Sequence, residues 1–315
     1  MGEFVQAKKL LEEAGSVLLT THERTDGDDL GSVLALAHHL QTNGKQVTIV
    51  IKGGVPKQLE YLPLSQIVTE TLPHKNFDAL VISGCSVLQR VNHEEILALN
   101  IPTLNLDHHP DNKMYGDVNV VESSQSSVAE LTYDFFQFCK WEITHEIALC
   151  LLTGIVTDTG IFMHSNTQAS TLAVTAELMN KGARVATVTK HTYEGKDISS
   201  LKAWSKALEN AHYDENKKMI YSIITADELK SLGNPPMSAF EGIVETLNKV
   251  PEAKFAMFLK QDEGVIKGSL RSEEHKGVNV QAIAQSLGGG GHKLAAGFSM
   301  LGTLAKNGEG KWEVV

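Results

Sequence analysis

The sequence predicts two α/β units in one chain, a larger one built on a parallel sheet and a smaller α+β one behind it. Through the first half, short runs of β-branched and apolar residues alternate with helical periods, the pattern of a parallel sheet with crossover helices. After a polar stretch, short strands and helices resume, and 315 residues is the length of about two domains. The boundaries fall at 1–185 for the first unit, 186–212 for a helical connector and 213–315 for the second.

Each element has its own signal. The opening helix spans Glu3 to Ala14. SVLLTT, Ser16 to Thr21, reads as a buried strand, Leu30 to Asn43 as a helix stopped at Gly44, and Gln46 to Ile51 as a strand of alternating β-branched residues. Phe77 to Ser83 and Thr103 to Asp107 read as strands, with Glu94 to Leu99 helical between them. Ser126 to Phe138, Thr144 to Val156 and Thr167 to Asn180 follow as successive helices, the last closed by Gly182. The polar stretch from Arg184 to Ala211 carries HTYEGKDISS and a short helix from Leu201 to Leu208. Beyond it, Met219 to Ile224, Phe255 to Leu259 and Val265 to Ser272 read as strands. Ala226 to Ser231, Ala239 to Lys249 and Val280 to Leu287 read as helices.

Composition excludes several classes. With 42% hydrophobic and 21% charged residues, and no apolar run of about 18 residues, the chain is globular without a membrane span. Its opening residues lack a signal-type apolar core, so it is expected in the cytoplasm. Cys85, Cys139 and Cys150 show no CxxC spacing, which argues against a disulfide framework or a zinc ribbon; they read as buried small hydrophobes. A net charge of −10 disfavours wrapping of duplex DNA. It leaves room for a short or single-nucleotide anion, for which a metal and a few local cations suffice. A homodimer is compatible with all of this.

The chemistry centres on THERTDGDDLGS, Thr21 to Ser32, where His22, Asp26, Asp28 and Asp29 fall between a strand and a helix. One imidazole and several carboxylates there suit a hard or borderline divalent metal. Alternatively the aspartates cap the helix, for which one is enough. NLDHHPDN, Asn105 to Asn112, follows a strand and so lies at the sheet edge where ligands of open α/β sheets gather. Taken alone, His38, His39 and His109 read as ordinary helix or core histidines. Asp158 ends a long apolar helix, where an unpaired carboxylate is costly and a cation is the simple remedy. In the second unit, GGGGHKLAAG from Gly288 reads either as a flexible loop or as backbone that approaches an anion, with Arg271, Ser272 and His292 as added donors.

Together THERTDGDDLGS, NLDHHPDN, TGIVTDTGIF with SNT after it, and RS followed by VNVQAIAQSLGGGGHKLAAGF resemble the DHH phosphoesterase superfamily with its C-terminal DHHA1 domain, over nearly the whole chain. The resemblance is to the short subgroup of oligoribonucleases that degrade RNA of a few nucleotides and remove phosphate from 3′-phosphoadenosine 5′-phosphate (pAp). It implies a Mn²⁺-dependent hydrolase. His22 and Asp26 would bind one ion, Asp28 and His108 a second, and Asp158 would complete the set. Asp107 would orient a histidine and His109 would lie near the scissile phosphate. Arg271, Ser272, the Gly288, Gly289, Gly290 and Gly291 backbone and His292 would grip the substrate. Two ions about 3.5 to 4 Å apart then activate water and stabilise the in-line transition state.

One position departs from the pattern. The family carries an aspartate that joins the two metals at the end of the strand before its DHH motif, and here that position is Gly84 in ALVISGCSVLQRV. Ser83 and Cys85 should point to the opposite face, and Ser86 offers only a neutral hydroxyl. The expectation is a weakened second metal, strongly reduced turnover and an intact fold, with Gly84→Asp restoring activity. The alternative is a nucleotide-binding protein of the same fold without catalysis.

Overall fold

In the computed structural model, which describes residues 2–192, 198–262, 264–308 and 312–315 and the backbone alone of 237 and 238, the chain divides into units 1–195 and 196–315. The first is organised about β1 (Ser16–Thr21), preceded by α1 (Gly2–Glu13). Val17 and Leu19 enter one core and Leu18 the opposite one, which is why the strand reads as an unbroken apolar run. From β1 the chain runs through α2 (Gly27–Thr42) to β2 (Gln46–Val50) and β3 (Val68–Thr69). It then crosses to the other side of β1 and lays down β4 (Ala79–Ser83), α3 (Glu94–Leu97), β5 (Thr103–Asp107) and β6 (Val118–Val121). The sheet order is β3-β2-β1-β4-β5-β6, and every pairing is parallel. The order reverses between β1 and β4, and such a switch point opens a crevice outside the carboxyl ends of the strands.

Four helices follow: α4 (Val128–Cys139), α5 (His145–Asp158), α6 (Ala169–Asn180) and α7 (Val185–Thr192). Helices α2 and α5 pack closely because glycines face the contact. A Cβ on Gly31 would lie 2.4 Å from the Cys150 carbonyl oxygen, and one on Gly154 would lie 3.1 Å from Asp28 Cα. The three cysteines are buried and free, as read from the sequence.

Several expected bounds shift. Helix α2 begins at Gly27 rather than Leu30, because Asp26 Oδ1 accepts the Asp28 and Asp29 N–H groups at 3.0 and 3.1 Å and caps the helix. The edge strands β3 and β6 were not read from the sequence, being too short to show a period. The stretch read as a connector, apart from 193–197, which lie outside the described residues, forms two helices. In α7, Val188 joins the first unit's core, and α8 (Ile198–Glu209) puts Ala203 and Ala207 into the second unit's.

The second unit continues with β7 (Ala211–Asp214), β8 (Met219–Ile224), α9 (Ala226–Ser231), α10 (Ile243–Asn248), β9 (Phe255–Asp262), β10 (Val265–Ser272), α11 (Val280–Ser286), β11 (Gly290–Gly291), β12 (Ala295–Leu301), β13 (Leu304–Lys306) and β14 (Trp312–Val314). Its sheet runs β11-β12-β10-β9-β8-β7, antiparallel except for β8 beside β9. The helix expected from Ala239 is interrupted by Gly242 at φ +86° and resumes as α10. Among the described residues no helix is long and apolar enough to cross a membrane.

Candidate metal centre

Strands β1, β4 and β5 end side by side, so the residues that follow them meet at the switch point. Thr21 pairs with Ser83, and Ser83 with Leu106, which sets His22 beside Gly84 and both near Asp107 and His108. The first turn of α2 supplies carboxylates from one flank and the end of α5 supplies Asp158. Two donor groups result: His22, Asp26 and Asp29 in one, Asp28, His108 and Asp158 in the other, the donor atoms within each lying within 4.8 Å of one another.

The first group is pre-set by the backbone. His22 donates Nδ1–H to the Glu23 carbonyl at 2.7 Å, which leaves the Nε2 lone pair facing inward. Burial lowers the His22 pKa, so the imidazole stays neutral and ligand-ready. Asp29 Oδ2 lies 2.6 Å from that Nε2. Burial first, then the charges of Asp26, Asp28, Asp107 and Asp158, push the Asp29 carboxyl well up. Both shifts disfavour an ion pair and favour a neutral carboxyl beside a neutral imidazole. Asp26 caps with Oδ1 alone, which leaves its other oxygen for a ligand. Capping and metal binding, posed as alternatives by the sequence, are compatible at this residue.

The second group is held by α4. Both oxygens of Asp28 accept backbone N–H groups at the start of that helix, from Val128 at 2.7 Å and Ala129 at 2.8 Å. Burial, Asp158 and Asp26 still raise its pKa well above the ordinary range. His108 donates Nδ1–H to the Gln125 carbonyl at 3.3 Å, and its Nε2 lies 3.8 Å from Asp158 Oδ2. Burial also raises Asp158, against the nearby charges of His108, His109 and His164. Asn166 Nδ2 donates to Asp158 Oδ2 at 3.2 Å and to the Ser126 carbonyl at 2.8 Å, tying the end of α5 to the start of α4.

This donor set fits two divalent cations. Each group offers one imidazole with its outer N–H already engaged and two carboxylates, and buried carboxyls this close remain partly protonated unless a cation offsets them.

Beside the two groups sits a third unit. His109 donates Nδ1–H to Asp107 Oδ1 at 2.7 Å; the same oxygen accepts the His108 N–H at 2.8 Å, and Asn112 donates to Oδ2. Burial alone would raise Asp107, but the hydrogen bonds and charge of His109 and the Asn112 contact outweigh it and hold the carboxyl below its ordinary value. Burial would lower His109, and Asp107 more than reverses that, so its pKa is raised. Asp107 thus favours the charged form of His109, whose Nε2 is left unclaimed by Asp107. The guanidinium of Arg90 is exposed, and its charge acts on both His22 and His109.

Gly84 shows what the flanking residues hid. It follows β4 at φ +67°, and a Cβ built there would lie 1.4 Å from Asp29 Oδ1 and 2.1 Å from Asp29 Cγ. A carboxylate therefore already occupies the space that a side chain at 84 would enter. Asn112, Asn166 and Arg90 lie within NLDHHPDN, SNT and ALVISGCSVLQRV, but no local spacing marks them for a role.

In the second unit, Arg271 lies on β10 with Nη2 2.9 Å from Glu245 Oε1. Ser272 is buried and donates its hydroxyl to the Lys254 carbonyl at 2.8 Å, so that hydroxyl is committed to the backbone. The glycine run is not a free loop. Gly290 and Gly291 pair with Gly297 and Ala296 of β12, and a Cβ on Gly289 would lie 2.2 Å from the Gly297 carbonyl oxygen. Gly288, at φ +78°, and Gly290 would meet nothing, and His292 is exposed at the following turn.

Paired carboxylate–imidazole groups at the switch point of a parallel sheet make this an α/β protein with a candidate metal centre, and the sequence comparisons give its class. The DHH family N-terminal domain matches residues 16–155 and the DHHA1 domain residues 216–307, so the chain carries a DHH domain followed by a DHHA1 domain. Among individual relatives, it is 29% identical over 303 residues to the bifunctional oligoribonuclease and PAP phosphatase NrnA of Thermus thermophilus, covering 94% of this chain and 87% of that protein. The protein of the same name from Bacillus subtilis is 29% identical over 293 residues, covering 90% and 89%. An exopolyphosphatase-related protein from Bacteroides fragilis shares the fold, with a TM-score of 0.89 at 24% identity over 96% of this chain and 92% of that one.

Proposed function

We propose that the chain is a Mn²⁺-dependent phosphoesterase that hydrolyses short oligoribonucleotides such as pApA and removes the 3′-phosphate of pAp. The observation that carries the reading is the pair of donor groups, each with a histidine whose Nε2 is freed by a backbone hydrogen bond. The names of the relatives that match most of the chain support the substrate class. Two cations held there would supply an activated water and neutralise charge on the phosphoryl oxygens.

The chain's own residues supply the rest. His22 with Asp26, and Asp28 with His108 and Asp158, hold the cations. Asp107 keeps His109 charged and fixed in orientation, so that its Nε2–H stabilises negative charge on a phosphoryl oxygen. Arg90 adds a second positive charge at the same edge. In the DHHA1 domain, Arg271 exchanges Glu245 for a substrate phosphate, with the Gly288 to Gly291 backbone and His292 as further donors. Ser272 supports β10 from within. The partners in this reading are short RNA and mononucleotides in the cytoplasm, not duplex DNA.

The test is product formation from pApA and pAp by the purified chain with Mn²⁺, with EDTA, and with His109→Asn or Asp158→Asn. Metal-dependent products should appear and fall by roughly 10²-fold or more in either variant. A chain that binds both substrates but forms no product with any divalent metal would return the reading to a nucleotide-binding protein.

A further inference from the structure

We propose that Asp29 is a metal ligand of this centre, the carboxylate that links its two donor groups, and that Gly84 is the residue that makes room for it. The inference rests on the reading of the two groups as metal-binding.

Asp29 differs from its neighbours in the same helical turn. Asp26 and Asp28 each accept two backbone N–H groups, which fixes them. The Asp29 carboxylate draws no backbone N–H among the described residues; its close partner is His22 Nε2, itself a metal-type donor. The residue is 3% exposed, beside Asp26 of one group and Asp28 and Asp158 of the other. Apart from that contact with His22, a carboxylate placed there without a capping role adds repulsion to its acidic neighbours in the metal-free chain. It is useful where two dications sit side by side and need an anion between them.

The second observation is steric. The Cβ position of residue 84 and the Asp29 carboxylate overlap, so a side chain at 84 and Asp29 in this conformation exclude each other. Gly84 is anchored by its N–H to the Leu106 carbonyl at 2.9 Å, and it cannot retreat without breaking the β4–β5 edge. The two positions form a reciprocal pair: the family's carboxylate comes from the end of a strand, and here one reaches the same point from the start of the facing helix. The expected weakness of the second metal, and the expected rescue by Gly84→Asp alone, are both replaced by this reading. An aspartate at 84 meets the Asp29 carboxylate.

The experiment is Mn²⁺ titration of the full chain by calorimetry and electron paramagnetic resonance, with Asp29→Asn, Asp29→Ala, Gly84→Asp and the double variant Asp29→Ala/Gly84→Asp. The parent should take two ions with a spin-coupled spectrum. Both Asp29 variants should lose the coupling and weaken at least one ion by about tenfold or more. Gly84→Asp alone should not keep the parental pair, and the double variant should regain coupling. Without metal, Asp29→Asn should melt at or up to about 4 °C above the parent, because a structural partner of His22 would melt lower. Two coupled ions of parental affinity in Asp29→Ala would overturn the inference alone. No ion bound by the parent would instead overturn the metal reading beneath it.

Discussion

His109 and Asp107 carry opposite pKa shifts from one 2.7 Å hydrogen bond, and their signs set a pH window. The raised His109 stabilises the fold fully below the ordinary histidine value of about 6.5, and that contribution is lost as pH rises through its folded value. The lowered Asp107 contributes above about pH 4 and is lost as pH falls through its folded value. The pair is therefore worth most between these limits, on the order of 2 kcal/mol for a charge-assisted bond. In metal-free protein, Asp107→Asn should lose stability in that window and approach the parent at alkaline pH, measured by urea unfolding. The imidazole resonance of His109 should also titrate lower in that variant than in the parent, since burial then loses its main opponent. His109 read from the sequence as an ordinary histidine. Its role was implied only by resemblance, because the Asp107 contact depends on how the chain turns after β5.

At the scale of elements, the approach of α2, α4 and α5 decides where Asp28 sits. Gly154 lies at that junction, and a Cβ there would come 2.8 Å from Asp28 Oδ1 as well as 2.5 Å from Ala129 Cβ. Gly154→Ala should therefore cost about 1 to 3 kcal/mol by overpacking and also weaken Mn²⁺ binding, because the ligand and the helix contact share one space. Chemical denaturation and metal titration of that variant check the two effects separately. The long helices and inner strands were legible because burial imposes a period on their sequences. The start of α2 was misread by three residues, since GDD carries no apolar signal and only the Asp26 cap marks the first turn. After Asp158 the backbone takes left-handed conformations at Gly160, Ile161 and Phe162 in succession, at φ of 56°, 59° and 63°. Such a run costs roughly 1 to 2 kcal/mol for each non-glycine residue and has no sequence signature at a β-branched position.

Across the whole molecule, acidity is concentrated where it is least tolerable without a cation. Asp28, Asp29 and Asp158 all have raised pKa values. For carboxyls shifted upward, the stability they contribute is present below about pH 4 and is lost as pH rises through their folded values. The chelated chain should thus melt progressively lower as pH rises from about 4 towards neutrality, and saturating Mn²⁺ should remove most of that slope and release protons on binding. Thermal melts with EDTA or Mn²⁺, and calorimetry in buffers of different ionisation enthalpy, measure both. The −10 net charge also predicts that duplex DNA will not compete with pApA at physiological salt.

The sequence by itself determined the two α/β units, the strand ends that carry His22 and His108, and the identity of most donors, because burial and sheet geometry impose patterns that survive in one dimension. It showed that Gly84 lacks a carboxylate but not what stands in its place. That was decided by the tertiary structure alone: β1 and β4 are neighbours only after the sheet order reverses, and only then does the first turn of α2 bring Asp29 over Gly84. The glycine run of the second unit divides in the same way. Its conformational freedom was legible, whereas the packing of Gly289 and Gly291 against β12 follows from strand pairing, which no local pattern of four identical residues can specify.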